Sequence, residues 1–151
     1  MEMVNLINKD NLTKEERLEL LEELYWLDWN SFNGDYPNEV KKIFAFLKNT
    51  DFNEEEVSLI LSLYNNPNGA YTEEFSEIIS KIYLNDKVKF IKALHLNIEE
   101  AGNLVYLFRN NKVFHDEDVE FKEIFSKNKL TTEEVDTADM FYRMYKNICS
   151  T

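Results

Sequence analysis

The chain has 151 residues, of which 29 are Asp or Glu and 17 are Lys or Arg, so its formal net charge is −12. Binding to nucleic acid or to an anionic membrane normally requires a basic face, and this charge balance disfavours both. It permits a basic protein partner, or mimicry of a nucleic acid. Apolar residues make up 44% of the chain and recur at helical spacing, so we predict a single all-helical domain over residues 1–151.

Capping signals mark most of the eight helices that the sequence predicts. Thr13 with Glu16 and Thr131 with Glu134 have the spacing of a capping box, and Pro37 is suited to a first helical turn. The connecting loops are short, which favours antiparallel packing of successive helices. In chain order, the predicted helices cover about 13–30, 37–49, 53–65, 72–83, 86–96, 97–110, 118–128 and 131–149.

Acidic residues collect at the N-termini of these predicted helices. There, each carboxylate complements the positive end of a helix dipole, which stabilises an exposed helix by roughly 0.3–1 kcal/mol. A large part of the negative charge is therefore explained by the architecture and does not by itself indicate a binding site.

A weak internal repeat is visible in the central part of the chain. Residues 55–66 match residues 99–110, and residues 77–81 match residues 123–127. The repeat predicts two units, with a terminal helix capping each end, although unrelated amphipathic helices can also resemble each other by chance. The predicted units are 39–83 and 86–127, and the caps are 13–30 and 131–149.

The period of about 45 residues of short antiparallel helices resembles HEAT and armadillo repeats. The resemblance is one of architecture, and it implies a scaffold or binding protein with a concave face and without catalytic residues. A compact multi-helix bundle is the alternative fold.

One glycine and one cysteine lead to structural expectations. Gly102 lies inside the sixth predicted helix, where glycine costs about 1 kcal/mol relative to alanine, so we expect a close helix–helix approach to compensate. Cys149 is the only cysteine, so no intrachain disulfide forms, and its place on an apolar stripe predicts a buried thiol.

Targeting signals are absent from the sequence pattern. The longest apolar stretch, Val57–Tyr64, is far shorter than the roughly 20 residues of a membrane span, so we expect no transmembrane segment. The first seven residues are too short and too acidic for a secretory signal. We expect a cytoplasmic location; an export signal would have to lie outside this sequence.

Catalytic and metal-binding motifs are missing as well. Neither His95 nor His115 belongs to a zinc or di-iron motif, and no glycine-rich phosphate loop or nucleophile elbow occurs. His115 with Asp116 and Asp118 could hold a divalent ion, but an acidic helix N-terminus beside a loop imidazole explains the same residues. We therefore expect no catalytic residue, no metal site and no cofactor.

Trp26 is the best candidate for an exposed binding residue. The apolar face of the first predicted helix carries leucines, whereas Trp26 lies three or four residues from Glu23 and Glu22 and seven from Glu19. A large aromatic residue on an acidic face is typical of an interface. The alternative is that residues 4–7 or the 29–36 segment folds over Trp26.

The leading functional hypothesis is a non-enzymatic protein-binding domain that engages a basic protein. An inhibitor or immunity-type protein that mimics nucleic acid and blocks a basic nuclease is the first alternative. A small metal-dependent hydrolase built around His95 or His115 is the second. The candidate protein-binding residues are Glu19, Glu22, Glu23 and Trp26, followed by the acidic segment Asp116, Glu117, Asp118 and Glu120.

Overall fold

Short helices account for most of the chain. The computed structural model describes residues 2–150, and within this range the chain is helical without a strand. Two 3-10 turns, at Leu63–Asn65 and Ile98–Glu100, accompany the α-helices. The ten α-helices of residues 2–150 are α1 (Glu2–Ile7), α2 (Lys14–Trp26), α3 (Trp29–Asp35), α4 (Pro37–Asn49), α5 (Glu54–Ile60), α6 (Thr72–Asn85), α7 (Lys87–Leu96), α8 (Ala101–Asn110), α9 (Glu117–Ser126) and α10 (Thr132–Cys149).

The all-α prediction is confirmed, but two features raise the helix number above the predicted eight. Residues of α1 form a helix that the sequence analysis did not predict. The first predicted helix, 13–30, is interrupted because Leu27 is extended and the Asp28 side chain accepts a hydrogen bond from the Ser31 backbone N–H at 3.4 Å. Asp28 thereby caps a new helix, α3, instead of continuing α2.

Local capping works largely as the sequence predicts. The Thr13–Glu16 and Thr131–Glu134 capping boxes are both present, and a third forms between Asn53 and Glu56. The sixth predicted helix differs, because a 3-10 turn covers its first residues and α8 begins only at Ala101. The capping boxes satisfy backbone N–H groups that would otherwise lack partners at helix N-termini.

The chain divides into two compact units, with a boundary between Ile78 and Ile79 inside α6. In the N-terminal unit, α1 packs on α2 and α4, α2 packs on α5, and α3 packs on α4. Trp29 lies in its core, with its ring centroid 5.1 Å from that of Tyr71 and 5.9 Å from that of Phe75. The prediction that residues 1–151 form a single domain stays a prediction.

An ion pair joins α2 to α5 in this unit. Arg17 Nε lies 2.7 Å from Glu56 Oε2, and Arg17 Nη2 donates to Glu56 Oε1 at 2.9 Å. The Glu56 side chain is 2% exposed, and the guanidinium also lies over the ring of Phe52, 5.4 Å from its centroid. The Nη2–H···Oε1 hydrogen bond and the close Nε–Oε2 ion-pair contact join the two helices, so α2 and α5 are held in one register.

In the C-terminal unit, α10 packs on α7, α8 and α9. Three fully buried rings form its centre: the centroid distances are 5.2 Å for Phe90–Phe108, 5.6 Å for Phe90–Phe141 and 5.4 Å for Phe108–Phe141. Aromatic contacts of this kind stabilise a core beyond the area that they bury. α8 contributes Phe108 to this centre.

The two matching sequence segments adopt related but unequal structures. Residues 55–66 form α5 followed by a 3-10 turn, whereas residues 99–110 continue from a 3-10 turn into α8. The 3-10 turn therefore follows the α-helix in the first segment and precedes the α-helix in the second. The repeat and its resemblance to HEAT and armadillo architecture stay predictions.

Removing the arginine of the buried ion pair should destabilise the fold. We expect Arg17→Ala to lower the free energy of unfolding by about 3 kcal/mol, because it leaves the Glu56 charge buried without its partner. Arg143→Ala is the matched control: Arg143 pairs with Asp139 on the surface of α10 with its side chain 76% exposed, and its loss should cost under about 0.5 kcal/mol. Urea denaturation of both variants tests this, and equal losses would contradict it.

Alanine substitutions of Gly102 in α8 and of Gly69 in the turn before α6 should have opposite effects on stability. A Cβ atom on Gly102 would lie 3.6 Å from Met144 Cε, an ordinary contact, so the expected close helix approach is not required there. Gly102→Ala should stabilise the protein by about 0.4–1 kcal/mol. Gly69 has a φ of 63°, so Gly69→Ala should destabilise it by roughly 1–2 kcal/mol, and thermal denaturation that gave the same sign for both would refute the prediction.

Candidate functional site

Trp26 is the last residue of α2 and is 75% exposed, so the alternative that a neighbouring segment covers it is wrong. Its indole ring makes an edge contact with Tyr25, at a centroid distance of 4.9 Å. Trp29, three residues later, is only 1% exposed. In a continuous helix, residues three apart share a face, so the break at Leu27 is what separates these two tryptophans.

A groove of about 630 Å³, here called the Trp26 groove, lies beside this indole. Its apolar lining combines the buried side chains of Met3, Leu21 and Leu27 with Leu59 of α5. Because α2 and α5 both contribute to the lining, the shape of the groove depends on the Arg17–Glu56 pair that holds these helices together.

Among residues 2–150, the charged residues that line the Trp26 groove are all acidic. They are Glu22, Glu23 and Asp28. The sequence predicts Glu22 and Glu23 as binding residues. It does not predict Asp28, which lies at the groove because it caps α3. An apolar floor with a negatively charged rim suits a ligand that carries both apolar and positively charged groups.

Three carboxylates meet at one edge of the groove, and we call them the α1–α2 acidic cluster. Oxygen atoms of Glu2, Glu19 and Glu23 lie within 4.8 Å of one another. The hydrogen bond to Glu2, partial burial and nearby negative charges raise the pKa of Glu19 above its ordinary value. Burial and the charge of Glu2 likewise raise the pKa of Glu23. The sequence analysis found Glu19 and Glu23 but missed Glu2, because no local signal places α1 beside α2.

The second predicted surface, at the start of α9, is less uniform in charge. Asp116 caps this helix by accepting hydrogen bonds from two backbone N–H groups, and Asp118 lies 3.5 Å from Lys146 of α10. Glu117 is half-buried in the first turn of α9. A nearby hollow of about 380 Å³ is lined by both signs of charge, with Asp118, Asp139, Arg143 and Lys146 among its residues.

Glu120, predicted as part of that surface, is instead buried in the C-terminal unit. Its Oε1 atom accepts a hydrogen bond from the Tyr83 hydroxyl at 2.7 Å and lies 3.0 Å from Lys87 Nζ. The Tyr83 hydroxyl also lies 2.7 Å from that of Tyr142. A buried carboxylate held by these partners cannot serve as an exposed binding residue, so Glu120 does not belong to a docking surface.

Proton transfer is disfavoured in this buried network. Burial, with the neighbouring Tyr142 and Glu120, raises the pKa of Tyr83 far above its ordinary value. Burial disfavours the charged form of Lys87, but Glu120 and Glu123 outweigh it and leave the pKa of this ammonium raised. The tyrosine therefore stays neutral and the lysine stays charged near neutral pH, so we interpret the network as structural.

The histidines and the cysteine do not assemble a reactive site. His95 Nδ1 lies 2.8 Å from Thr137 Oγ1, a contact between α7 and α10. Within residues 2–150, the group of side chains close enough to share an ion is the α1–α2 acidic cluster, and neither histidine belongs to it. Cys149 is exposed, contrary to the buried position expected from its helical stripe, because the last turn of α10 lies at the surface.

Relief of charge repulsion in the acidic cluster should be visible in the pH dependence of stability. Groups whose folded-state pKa is raised stabilise the fold below their unfolded pKa and lose that contribution as the pH rises through the folded pKa. We therefore expect Glu19→Gln to melt at a higher temperature than wild type at pH 7, with the difference shrinking at pH 4.

Glu22→Gln is the control for that measurement, since Glu22 is exposed on the same helix outside the three-carboxylate cluster. Its melting temperature should stay close to that of wild type at both pH values. Circular dichroism melts give the comparison, and a larger shift for Glu22→Gln than for Glu19→Gln would overturn the prediction.

Comparison with protein-family models, with curated proteins and with solved structures finds no match for this chain. Over residues 2–150, no helix has both the length and the apolar character that a membrane crossing requires. The geometry and charge of the site itself are therefore the basis for a functional proposal.

Proposed function

We propose that this chain is a non-enzymatic protein-binding domain that uses the Trp26 groove to engage a basic protein partner. The observation that carries the proposal is the exposed indole of Trp26 at an apolar groove whose charged lining residues, within the described part of the chain, are all acidic. Tryptophan is among the residues that contribute most to binding energy at protein interfaces.

Physical considerations support both parts of this proposal. Covering Trp26 and the apolar floor would remove hydrophobic surface from water, which is the main favourable term in protein association. The acidic rim, within a chain of net charge −12, would accelerate encounter with a basic partner and disfavour acidic ones.

The same features weigh against the two alternatives. Mimicry of nucleic acid uses carboxylates at phosphate-like spacing, whereas here acidic residues occupy the first turns of many helices, including α2, α5, α6, α9 and α10. A hydrolase would need His95 or His115 to converge with carboxylates, and His95 contacts Thr137 instead. The groove favours a partner that contributes apolar side chains together with positive charge.

Trp26→Ala should abolish most of the binding while leaving the fold intact. Peptides selected from a random display library on the wild-type protein serve as ligands, and we expect the variant to bind them at least about 30-fold more weakly. Because Trp26 is largely exposed, the free energy of unfolding should change by under about 0.5 kcal/mol.

Tyr106→Ala is the matched control, because Tyr106 is an exposed aromatic residue of α8 in the C-terminal unit. The affinity of the Tyr106→Ala variant for the selected peptides should equal that of the wild type. If Trp26→Ala weakened no selected peptide more than Tyr106→Ala does, the proposal would be refuted.

A further inference from the structure

The Trp26 groove also indicates what kind of segment it receives. We infer that its occupant is a basic amphipathic α-helix of the partner, with an apolar face on Trp26 and a lysine or arginine against Glu2, Glu19 and Glu23. This inference rests on the proposed function and goes beyond it by specifying the conformation and charge pattern of the bound segment.

The shape of the groove favours a helix as the occupant. Its lining residues come from α1, α2, the segment between α2 and α3, the end of α5, and Ser62 just after α5. Residues 2–150 contain no strand, so in this range no sheet edge is available for strand addition. Grooves between helices typically receive an amphipathic helix through side chains at positions i, i+3 or i+4, and i+7.

The volume of the groove leaves room for the anchoring side chains of a helix. Anchors at i and i+7 are separated by about 10 Å along a helix, the length of two turns. The groove of about 630 Å³ is comparable to the roughly 300–1,000 Å³ of pockets that enclose small-molecule ligands. The indole of Trp26 at its border offers a broad apolar surface for such anchors.

The α1–α2 acidic cluster supplies the charge complementarity. Glu23 lines the groove and also belongs to the cluster, so the apolar and the anionic parts of the site are contiguous. The three carboxylates repel one another, and a guanidinium or ammonium group placed among them would relieve this repulsion. The hydrogen bond to Glu2, together with partial burial and the nearby negative charges, raises the pKa of Glu19.

A second copy of this chain is a poor occupant by the same criterion. Symmetric association through this face would place the acidic rims of two molecules, each with a net charge of −12, against one another. Like charges juxtaposed at an interface disfavour association, and the same repulsion opposes an anionic membrane.

Three synthetic peptides test the inference by fluorescence anisotropy. The first is a 14-residue helix former with leucine at i, i+4 and i+7 and lysine along one edge, as in helix-in-groove ligands, flanked by alanine and glutamine. The second replaces the lysines by glutamate, and the third places two prolines at its centre to break the helix. We expect the first peptide to bind at least about 10-fold more tightly than either of the others.

Protein variants then test whether the lysines of the peptide bind at the α1–α2 acidic cluster. Glu2→Gln, Glu19→Gln and Glu23→Gln combined should weaken the lysine peptide at least about 10-fold and reduce its salt dependence. The control combines Glu73→Gln, Glu74→Gln and Glu77→Gln on α6, three exposed acids whose removal changes the net charge equally. This control should retain nearly the wild-type affinity.

The outcomes separate this inference from the proposed function. Library-selected peptides that need Trp26 but are extended, proline-rich or without positive charge would leave the proposed function standing and overturn the inference. Equal effects of the two triple variants would also overturn it, as would a Trp26-dependent dimer in sedimentation experiments. If no selected peptide depends on Trp26, the proposed function and the inference fail together.

Discussion

The Arg17–Glu56 ion pair is the interaction on which the N-terminal unit and its candidate site depend. Glu56 is a residue of α5 whose carboxylate accepts a hydrogen bond from the Asn53 backbone N–H and also binds the guanidinium of Arg17 on α2. A nearly buried carboxylate tolerates little displacement of its partner, since separating the pair would leave a charge away from water. The position of α2 relative to α5 is thereby restricted, and both helices line the Trp26 groove.

The interruption between α2 and α3 is the second constraint that shapes this groove. Asp28 caps α3, and the extended Leu27 changes the direction of the chain between the two tryptophans. Trp29 then fills the core among Tyr71 and Phe75, while Trp26 remains at the surface. One capping residue thus supports the core and leaves a large aromatic side chain exposed.

The acidity of the chain has two physically different parts. Many carboxylates lie in first helical turns, where the backbone N–H groups and the helix dipole already favour them. Glu19, Glu22 and Glu23 instead lie beyond the first turn of α2, and Glu19 and Glu23 repel Glu2 of α1. Helix capping thus explains the first group of carboxylates, and the second group is the part of the acidity that bears on the proposed function.

The sequence by itself determines the helical class, the capping boxes at Thr13 and Thr131, and the choice of Glu22, Glu23 and Trp26 as surface candidates. These features depend on residues three or four positions apart, whose relation a helix sets without help from the rest of the chain. Only the tertiary structure decides that Glu2 joins Glu19 and Glu23, that Glu120 is buried against Tyr83, and that Cys149 is exposed. The contacts of Glu2 and Glu120 join residues that are 17 to 37 positions apart in the sequence. The exposure of Cys149 depends on where α10 ends against its neighbours. These features follow from the packing of hydrophobic faces, because no local spacing in the sequence encodes them.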